Sequence, residues 1–420
     1  MECQYSNAHK SHSSAMSDYL PEDVYFKILS RLPAKSLMRF KCVSKRWRSL
    51  ISDSHFAKTH LHQTLTHGFL VCTSPHIPQL ESSVLESPSF GDRSSARKLA
   101  FPSKLTEEEE ERLHVMLLGS CNGFVFACLR RLRNPCRNYS IWNPTTGFFM
   151  DLPDPKFPDD EEDEFFHRLD HHGIGYLQET DEYKVVVSAA GWNIMKVLSL
   201  RDQNWREITY PHMFVHEPEG VGLHETLYWV ASDNEPDPVR ESEPYLIAFE
   251  LRNEDFRIMQ LPMASIAEDE NLALFSWRGC LCLWVYRTRS AQTVQCWVME
   301  KCGDADSWTR SYKFGVPNPP VWTRYLRPLL ITENSRVLVR YSVENSSKIL
   351  ELVKVVDKEE NQEEEVVTYM HGWHGRRFQW GSLMIVYDET LFCSVMVEPK
   401  QPERKGKKLK TQHQGLTKLK

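Results

Sequence analysis

No stretch of this chain reaches the roughly 18 uninterrupted apolar residues that a membrane-crossing helix requires. The best candidate, Val115 to Leu129, is broken by Ser120, Asn122 and two glycines. The first nineteen residues have no apolar core of the signal-peptide type. Residues 1–17 are read as a disordered N-terminus. No membrane association is expected, and the cytoplasm and/or the nucleus is the expected location. Cysteine pairing is also unsupported. The eleven cysteines are odd in number and scattered, and in a reducing compartment they are expected to be free, small core hydrophobes. Cys280 and Cys282 stand two apart, which matches no four-ligand zinc spacing.

Catalytic signatures are missing as well. The sequence has no Gly-x-Ser-x-Gly elbow, no phosphate-binding P-loop and no His-Glu-x-x-His helix. Gly173-Ile-Gly-Tyr176 is only the start of a dinucleotide fingerprint. His171-His172 and His371-Gly-Trp-His374 lack Cys or Asp partners at ligand spacing. No nucleophile stands beside a readable base. The expectation is a non-catalytic protein with no cofactor and no metal site.

The aromatic content argues for a folded chain. With 12 Trp, 15 Tyr and 20 Phe, the composition is unlike that of a disordered protein. A length of 420 residues fits about two to four units of ~100–200 residues, or one small domain and one large one. Charge is unevenly spread. Residues 400–420 carry eight Lys and Arg against Glu403 alone, a balance of +7, so the rest of a chain with net charge −6 stands at −13. Such a shift marks a boundary, and residues 398–420 are read as a basic disordered tail. The cluster Lys405-Gly-Lys-Lys-Leu-Lys410 is a weak nuclear-import candidate. Nucleic-acid binding has no aromatic platform among these charges to support it.

Residues 18–62 read as three short helices and a last helical turn. Pro21 suits a helix start, and Glu22 and Asp23 face the positive end of the helix dipole. Val24, Ile28, Leu29 and Leu32 follow at helical spacing. Pro33 ends that helix and opens a second, which carries Leu37 and Phe40. Ser44 can cap a third, which holds Trp47, Leu50 and Ile51. Asp53 and Ser54 mark a turn before a final turn with Phe56 and Leu61. These are more apolar residues than a bundle of this size can bury. The surplus predicts either a partner surface or a cap packed on the chain's own large domain, and the residues alone leave both open.

Leu20-Pro21-Glu22-Asp23-Val24, Ile28-Leu29, Arg31-Leu32-Pro33, Lys35-Ser36-Leu37, Arg39-Phe40, Cys42-Val43-Ser44-Lys45, Trp47 and Ser49-Leu50-Ile51 resemble the plant-type F-box motif. The resemblance implies docking on a Skp-type adaptor, which links to a cullin scaffold in an SCF ubiquitin ligase. It implies that Leu20, Pro21, Ile28, Leu29, Leu32, Pro33, Leu37 and Val43 face the adaptor. Trp47 would be shared between the module's core and that interface.

From Gly68 onward helical periodicity nearly vanishes, and short β-rich runs alternate with turn residues. Hairpin units recur at Tyr139–Pro153, Met195–Ile208, Leu246–Pro262 and Gln295–Trp308, with a weaker fifth at Leu350–Asp357. Aligning Trp142, Val197, Phe249, Trp297 and Val355 gives a period of about fifty residues, as in kelch-length propeller blades. An earlier strand pair precedes each unit, at Gly119–Phe126, Glu182–Val187, Thr226–Val230, Gly279–Trp284 and Arg336–Tyr341. Four strands per unit is what a blade needs; a pair of β-sandwiches is the alternative. Three runs are left over: His67–Thr73 before the first unit, and Ser382–Tyr387 and Leu391–Val397 after the fifth. They are expected to pair into a composite sixth blade that closes the ring.

Gly119-Ser-Cys-Asn-Gly123, Trp142-Asn-Pro-Thr-Thr146, Gly173-Ile-Gly-Tyr176, Asp181-Glu-Tyr-Lys-Val-Val186, Leu227-Tyr-Trp229, Ile247-Ala-Phe-Glu-Leu251, Gly279-Cys-Leu-Cys-Leu283 and Asp306-Ser-Trp308 resemble the F-box-associated domain of plants. The resemblance implies a kelch-like propeller that binds the ligase's target. Where the family has Asn-Gly before Leu227-Tyr-Trp229, this chain has His224-Glu225-Thr226. The fold expected is thus α+β and multi-domain: a three-helix F-box over 18–62 and an all-β, six-bladed, propeller-like domain over 67–397. Acidic runs at Thr106–Arg112, Pro153–Glu164 and Asp357–Glu365 read as solvated loops or as a surface for a basic target. The function expected is that of an SCF substrate receptor for an unidentified protein. The alternatives are an F-box protein acting outside a ligase as a scaffold or regulator, and a propeller enzyme with a helical cap.

Overall fold

The computed structural model describes residues 20–63, 66–74, 79–85, 87, 96–102, 113–131, 134–157, 169–189, 193–210, 214–215, 217–232, 243–262, 270–287, 293–315, 323–331, 336–343, 350–354, 367–369 and 384–394. Four helices come first: α1 (Glu22–Leu29), α2 (Ala34–Phe40), α3 (Lys45–Ile51) and α4 (Ser54–Gln63). Pro21 and Pro33 stand immediately before α1 and α2 with φ of −54° and −55°, a position that has no use for an N–H. Ser44 Oγ accepts the Trp47 N–H at 3.1 Å, and Asp53 Oδ1 accepts that of Phe56 at 3.0 Å. These side-chain caps start α3 and α4.

The three-helix expectation needs correcting. What read as a last turn is a full ten-residue helix. It is held by tertiary burial of Phe56, Ala57 and His60 and by His60 Nε2, 2.8 Å from the Leu32 carbonyl. Little of that appears as an apolar stripe in the sequence.

Six antiparallel sheets follow. Five are built from consecutive strands and contain the five units read from the sequence. Their first strands are Leu113–Cys121, Leu169–Leu177, Phe214–Val215 (in a five-stranded sheet), Glu270–Trp277 and Thr323–Ile331. The remaining sheet is composite. Strands His67–Ser74, Gln79–Val84 and Arg97–Ala100 are joined by Met384–Asp388, which pairs with His67–Ser74 in the register His67↔Asp388 to Val71↔Met384. Met384–Asp388 also touches Leu113–Cys121 on one side and Thr323–Ile331 on the other. Leu169–Leu177 touches Leu113–Cys121 and Thr226–Ser232, and Glu270–Trp277 touches Thr226–Ser232 and Thr323–Ile331. The inner strands therefore close a ring, the propeller arrangement. The run Leu391–Val397 is not a strand where it is described: residues 389–394 have no regular structure. Leu391 and Phe392 are committed to packing rather than to alternation across a sheet. Val355, His371, His374, the tail and most of the three acidic runs lie outside the described residues.

Hairpin turns carry the positive φ values that two-residue connections demand. Asn122 and Gly123 adopt +49° and +83°, and Arg278 and Gly279 +49° and +73°. His224 and Glu225 adopt +47° and +61° without a glycine, a conformation that costs about 1–3 kcal/mol per non-Gly residue. Contacts offset it. Glu225 accepts hydrogen bonds from Gln178 N at 2.7 Å and Arg252 Nη2 at 2.9 Å, and His224 Nε2 lies 3.1 Å from the Gly279 carbonyl. The family's Asn-Gly is thus replaced by a turn fastened to its neighbours on both sides.

His171 and His172 are each 1% exposed on an inner strand. His171 pairs with Ser188 Oγ at 2.9 Å and lies edge-on to Tyr210 and Trp229. His172 Nδ1 donates to the Leu118 carbonyl at 2.7 Å. They fill the seams between sheets, and among the described residues no three metal-ligating side chains cluster. Burial, with His172 beside it, lowers the His171 pKa to about 3. The unfolded chain, with an ordinary pKa near 6.5 for His, binds the proton that the folded one refuses. Stability is therefore lost as pH falls from about 6.5 towards 3, at up to about 1.4 kcal/mol per pH unit. Urea unfolding at pH 5 should show about 2 kcal/mol less stability from this group than at pH 7. In His171→Phe that acid-dependent part should disappear.

Candidate docking surface on the helical module

Among the described residues, large apolar side chains stand exposed at four positions, and three belong to the helical module: Leu20 at 48%, Ile28 at 50% and Val43 at 63%. The fourth, Ile258, lies on the outer strand Asp255–Met259. Isolated exposed apolar residues are ordinary, but a concentration of them is not. Pro21 and Pro33 are also exposed, and Leu32 is half-buried. Trp47 is half-buried, with ring centroids 5.4 Å from Phe40 and 6.2 Å from Tyr25. Trp47 is thus partly taken up by the module's own packing.

Leu29 and Leu37 depart from the expectation that they face a partner. They are 2% and 0% exposed, packed with Ala34, Ile51, Phe56 and Ala57. Ile28 and Leu29 are adjacent on α1, so they point about 100° apart. One faces out and the other in, and two apolar neighbours give no sign in sequence of which is which.

The module is seated on the ring by the chain that follows the closing strand. Leu391, 1% exposed, belongs to the module's own core, and Phe392 packs both there and against the cluster of Phe124, Tyr139 and Tyr183. Lys35 Nζ lies 2.7 Å from a Glu389 carboxylate oxygen whose side chain is 2% exposed. Lys58 Nζ lies 2.7 Å from Asp181 Oδ2, and Lys41 Nζ 3.5 Å from Cys393 Sγ. On the ring side, fully buried Asn143 donates from Nδ2 to Thr390 Oγ1 and to the Phe392 carbonyl, both at 3.0 Å. Its Oδ1 accepts the Thr145 and Thr146 N–H groups. Thr390 Oγ1 donates to the Asn122 carbonyl at 3.1 Å, and Thr146 Oγ1 donates to the Phe392 carbonyl at 2.9 Å. A Cβ on Gly123 would come within 2.2 Å of Thr390 Oγ1.

Two motifs that carry the family resemblance, Gly119–Gly123 and Trp142–Thr146, thus hold this segment. Residues Glu389, Thr390, Leu391 and Phe392 were missed as functional in the sequence. The usable signal was a buried-type polar pair, Glu389-Thr390, set between a strand and Leu391-Phe392.

Comparison with known proteins agrees with this geometry. Residues 18–59 match the F-box domain, and residues 76–391 match the F-box associated beta propeller domain. The chain is 27% identical over 340 residues to an F-box/kelch-repeat protein of Arabidopsis thaliana, covering 77% of this chain and 85% of that one. It is 26% identical over 345 residues to the F-box protein CPR1 of the same plant, covering 76% and 78%. A putative F-box protein of that plant is 29% identical over 318 residues, covering 69% and 76%. The helices with an unfilled apolar surface, the closed ring of sheets and these matches agree: the chain belongs to the family of F-box proteins that carry an F-box associated beta propeller domain.

Proposed function

We propose that the chain is the substrate-recognition subunit of an SCF-type cullin ubiquitin ligase, working in the cytoplasm and/or the nucleus. The F-box docks on a Skp-type adaptor, and through it on a cullin, while the propeller holds a protein target. The observation that carries this reading is the exposure of Leu20, Ile28 and Val43 on a module whose own core is already filled by Leu29, Leu37, Ile51 and Phe56. A surface of this kind gains from a helical partner at about 1.5–3 kcal/mol per large apolar side chain newly buried. The chemistry of transfer belongs to other subunits. This one contributes proximity, raising the local concentration of a target lysine near the charged enzyme. The face of the ring bearing the turns at Asn122–Gly123 and Asn143–Thr146 is the one on which the F-box sits, so the target is taken on a surface away from it.

Co-purification from plant extract tests the reading. The wild-type chain should retain a Skp-type adaptor and a cullin, and Leu20→Ala/Pro21→Ala should lose both while melting at an unchanged temperature. Equal retention by the variant would refute this interface. An adaptor held without any cullin would favour a scaffold role outside a ligase.

A further inference from the structure

We infer that Glu389–Cys393 is a latch that fixes the angle between F-box and propeller, with Lys35, Glu389 and Asn143 as its positioning residues. The segment makes two sets of contacts with different owners. Towards the ring it is held by polar groups: Asn143 to Thr390 and Phe392, Thr146 to Phe392, and Thr390 to the Asn122 carbonyl. Towards the F-box it offers a carboxylate for Lys35 and the side chain of Leu391. Phe392 is shared: its centroid is 6.0 Å from that of Phe124 in the propeller's core, and it also packs against the F-box cluster.

A tether alone would need none of this, because one covalent link leaves two bodies free to swing. A rigid mount needs attachment at several separated points. The structure supplies three besides the apolar plug: Lys35 to Glu389, Lys58 to Asp181 and Lys41 to Cys393. Of these, only Lys35 meets a carboxylate that is fully withdrawn from water. An ion pair with one partner in that environment is costly to break, since the stranded carboxylate cannot be rehydrated in place. The Glu389 backbone is itself pinned, its N–H donating to the Thr66 carbonyl at 2.8 Å. The latch therefore begins directly where the ring-closing strand Met384–Asp388 ends.

The geometry stands whether or not the chain serves a ligase. The consequence for ubiquitin transfer rests on the reading above, because a fixed angle fixes where the target lies relative to the adaptor. The test accordingly uses no adaptor. Cys42 in the F-box and Cys302 in the propeller are exposed and free. Spin labels on these two in the full chain, with Cys3, Cys136 and Cys280 replaced by Ser and Cys393 by Ser, whose hydroxyl still accepts from Lys41 Nζ, report their separation by pulsed electron resonance. The wild-type distribution should be a single narrow peak. Lys35→Ala should widen it at least twofold, and Asn143→Ala should do the same from the ring side. The charge-reversed pair Lys35→Glu/Glu389→Lys should restore the narrow peak. A broad wild-type distribution would overturn the inference. So would a Lys35→Ala distribution as narrow as wild type at a lowered melting temperature, because the pair would then serve stability without setting the angle. Adaptor capture by Lys35→Ala, measured separately, bears on the ligase reading alone.

Discussion

Deletion of residues 384–397 should leave a chain that cannot close its ring and loses cooperative unfolding altogether. The deleted stretch includes the innermost strand of the composite sheet, paired with His67–Ser74 and packed against strands of both neighbouring sheets. Met384, Ile385, Tyr387 and Leu391 are all 5% exposed or less. At about 1.5–3 kcal/mol for each large side chain, their removal costs on the order of 10 kcal/mol, as much as the whole stability of a typical domain. The loss is also topological. It bares the edge of His67–Ser74, and a bare edge invites pairing between molecules. Circular dichroism against urea should show a broad, shallow loss of signal, with aggregation at micromolar concentration. A single sharp transition of full amplitude would show that the ring closes without this strand.

The second large effect is expected at Phe124. Its side chain is fully buried, and its ring meets Phe148 at 5.7 Å, Tyr183 at 5.1 Å and Phe392 at 6.0 Å between centroids. Those three partners come from the same sheet, the next sheet and the latch. Truncation to Ala leaves a cavity that three separate elements would have to move to fill, so collapse is poor and the cost sits in the range of about 3–5 kcal/mol. The urea midpoint should fall accordingly with an unchanged slope. The control is Ile258→Ala, at a site 64% exposed, which should shift stability by less than about 0.5 kcal/mol. A Phe124→Ala shift no larger than that of the control would mean that the junction is loosely packed.

The strands were legible where one face is buried and the turn chemistry is explicit. Trp142, Val197, Phe249 and Trp297 all fall on third strands of consecutive sheets, because burial imposes the same pattern on each unit. The composite sheet was legible for a different reason: unpaired strands at both ends have to be satisfied somewhere. Its other half, Gln79–Val84 with Arg97–Ala100, was not seen. The exposed, charged strand Arg97–Ala100 has no apolar alternation to read.

The docking surface was legible as a surplus of apolar residues but not as an address. Leu29 and Leu37 look the same in sequence as Ile28 and Val43; what separates them is which side Ile51 and Phe56 pack on, a tertiary fact. Leu391 and Phe392 were misread as strand for a related reason. Leu391 serves the core of the helical module and Phe392 serves that core and one of the ring's, and neither core lies beside them in the sequence.

The composite sheet also orders events in time. During synthesis the F-box emerges well before the strand Met384–Asp388, and domains tend to fold as they emerge. A nascent F-box can form its helices early, yet it cannot acquire Leu391 or the Lys35 partner Glu389 until the strands of the propeller have been made. A prematurely terminated product would thus carry an F-box that lacks both part of its core and its fixed mounting. Only a chain translated past its closing strand can hold F-box and propeller together through these contacts.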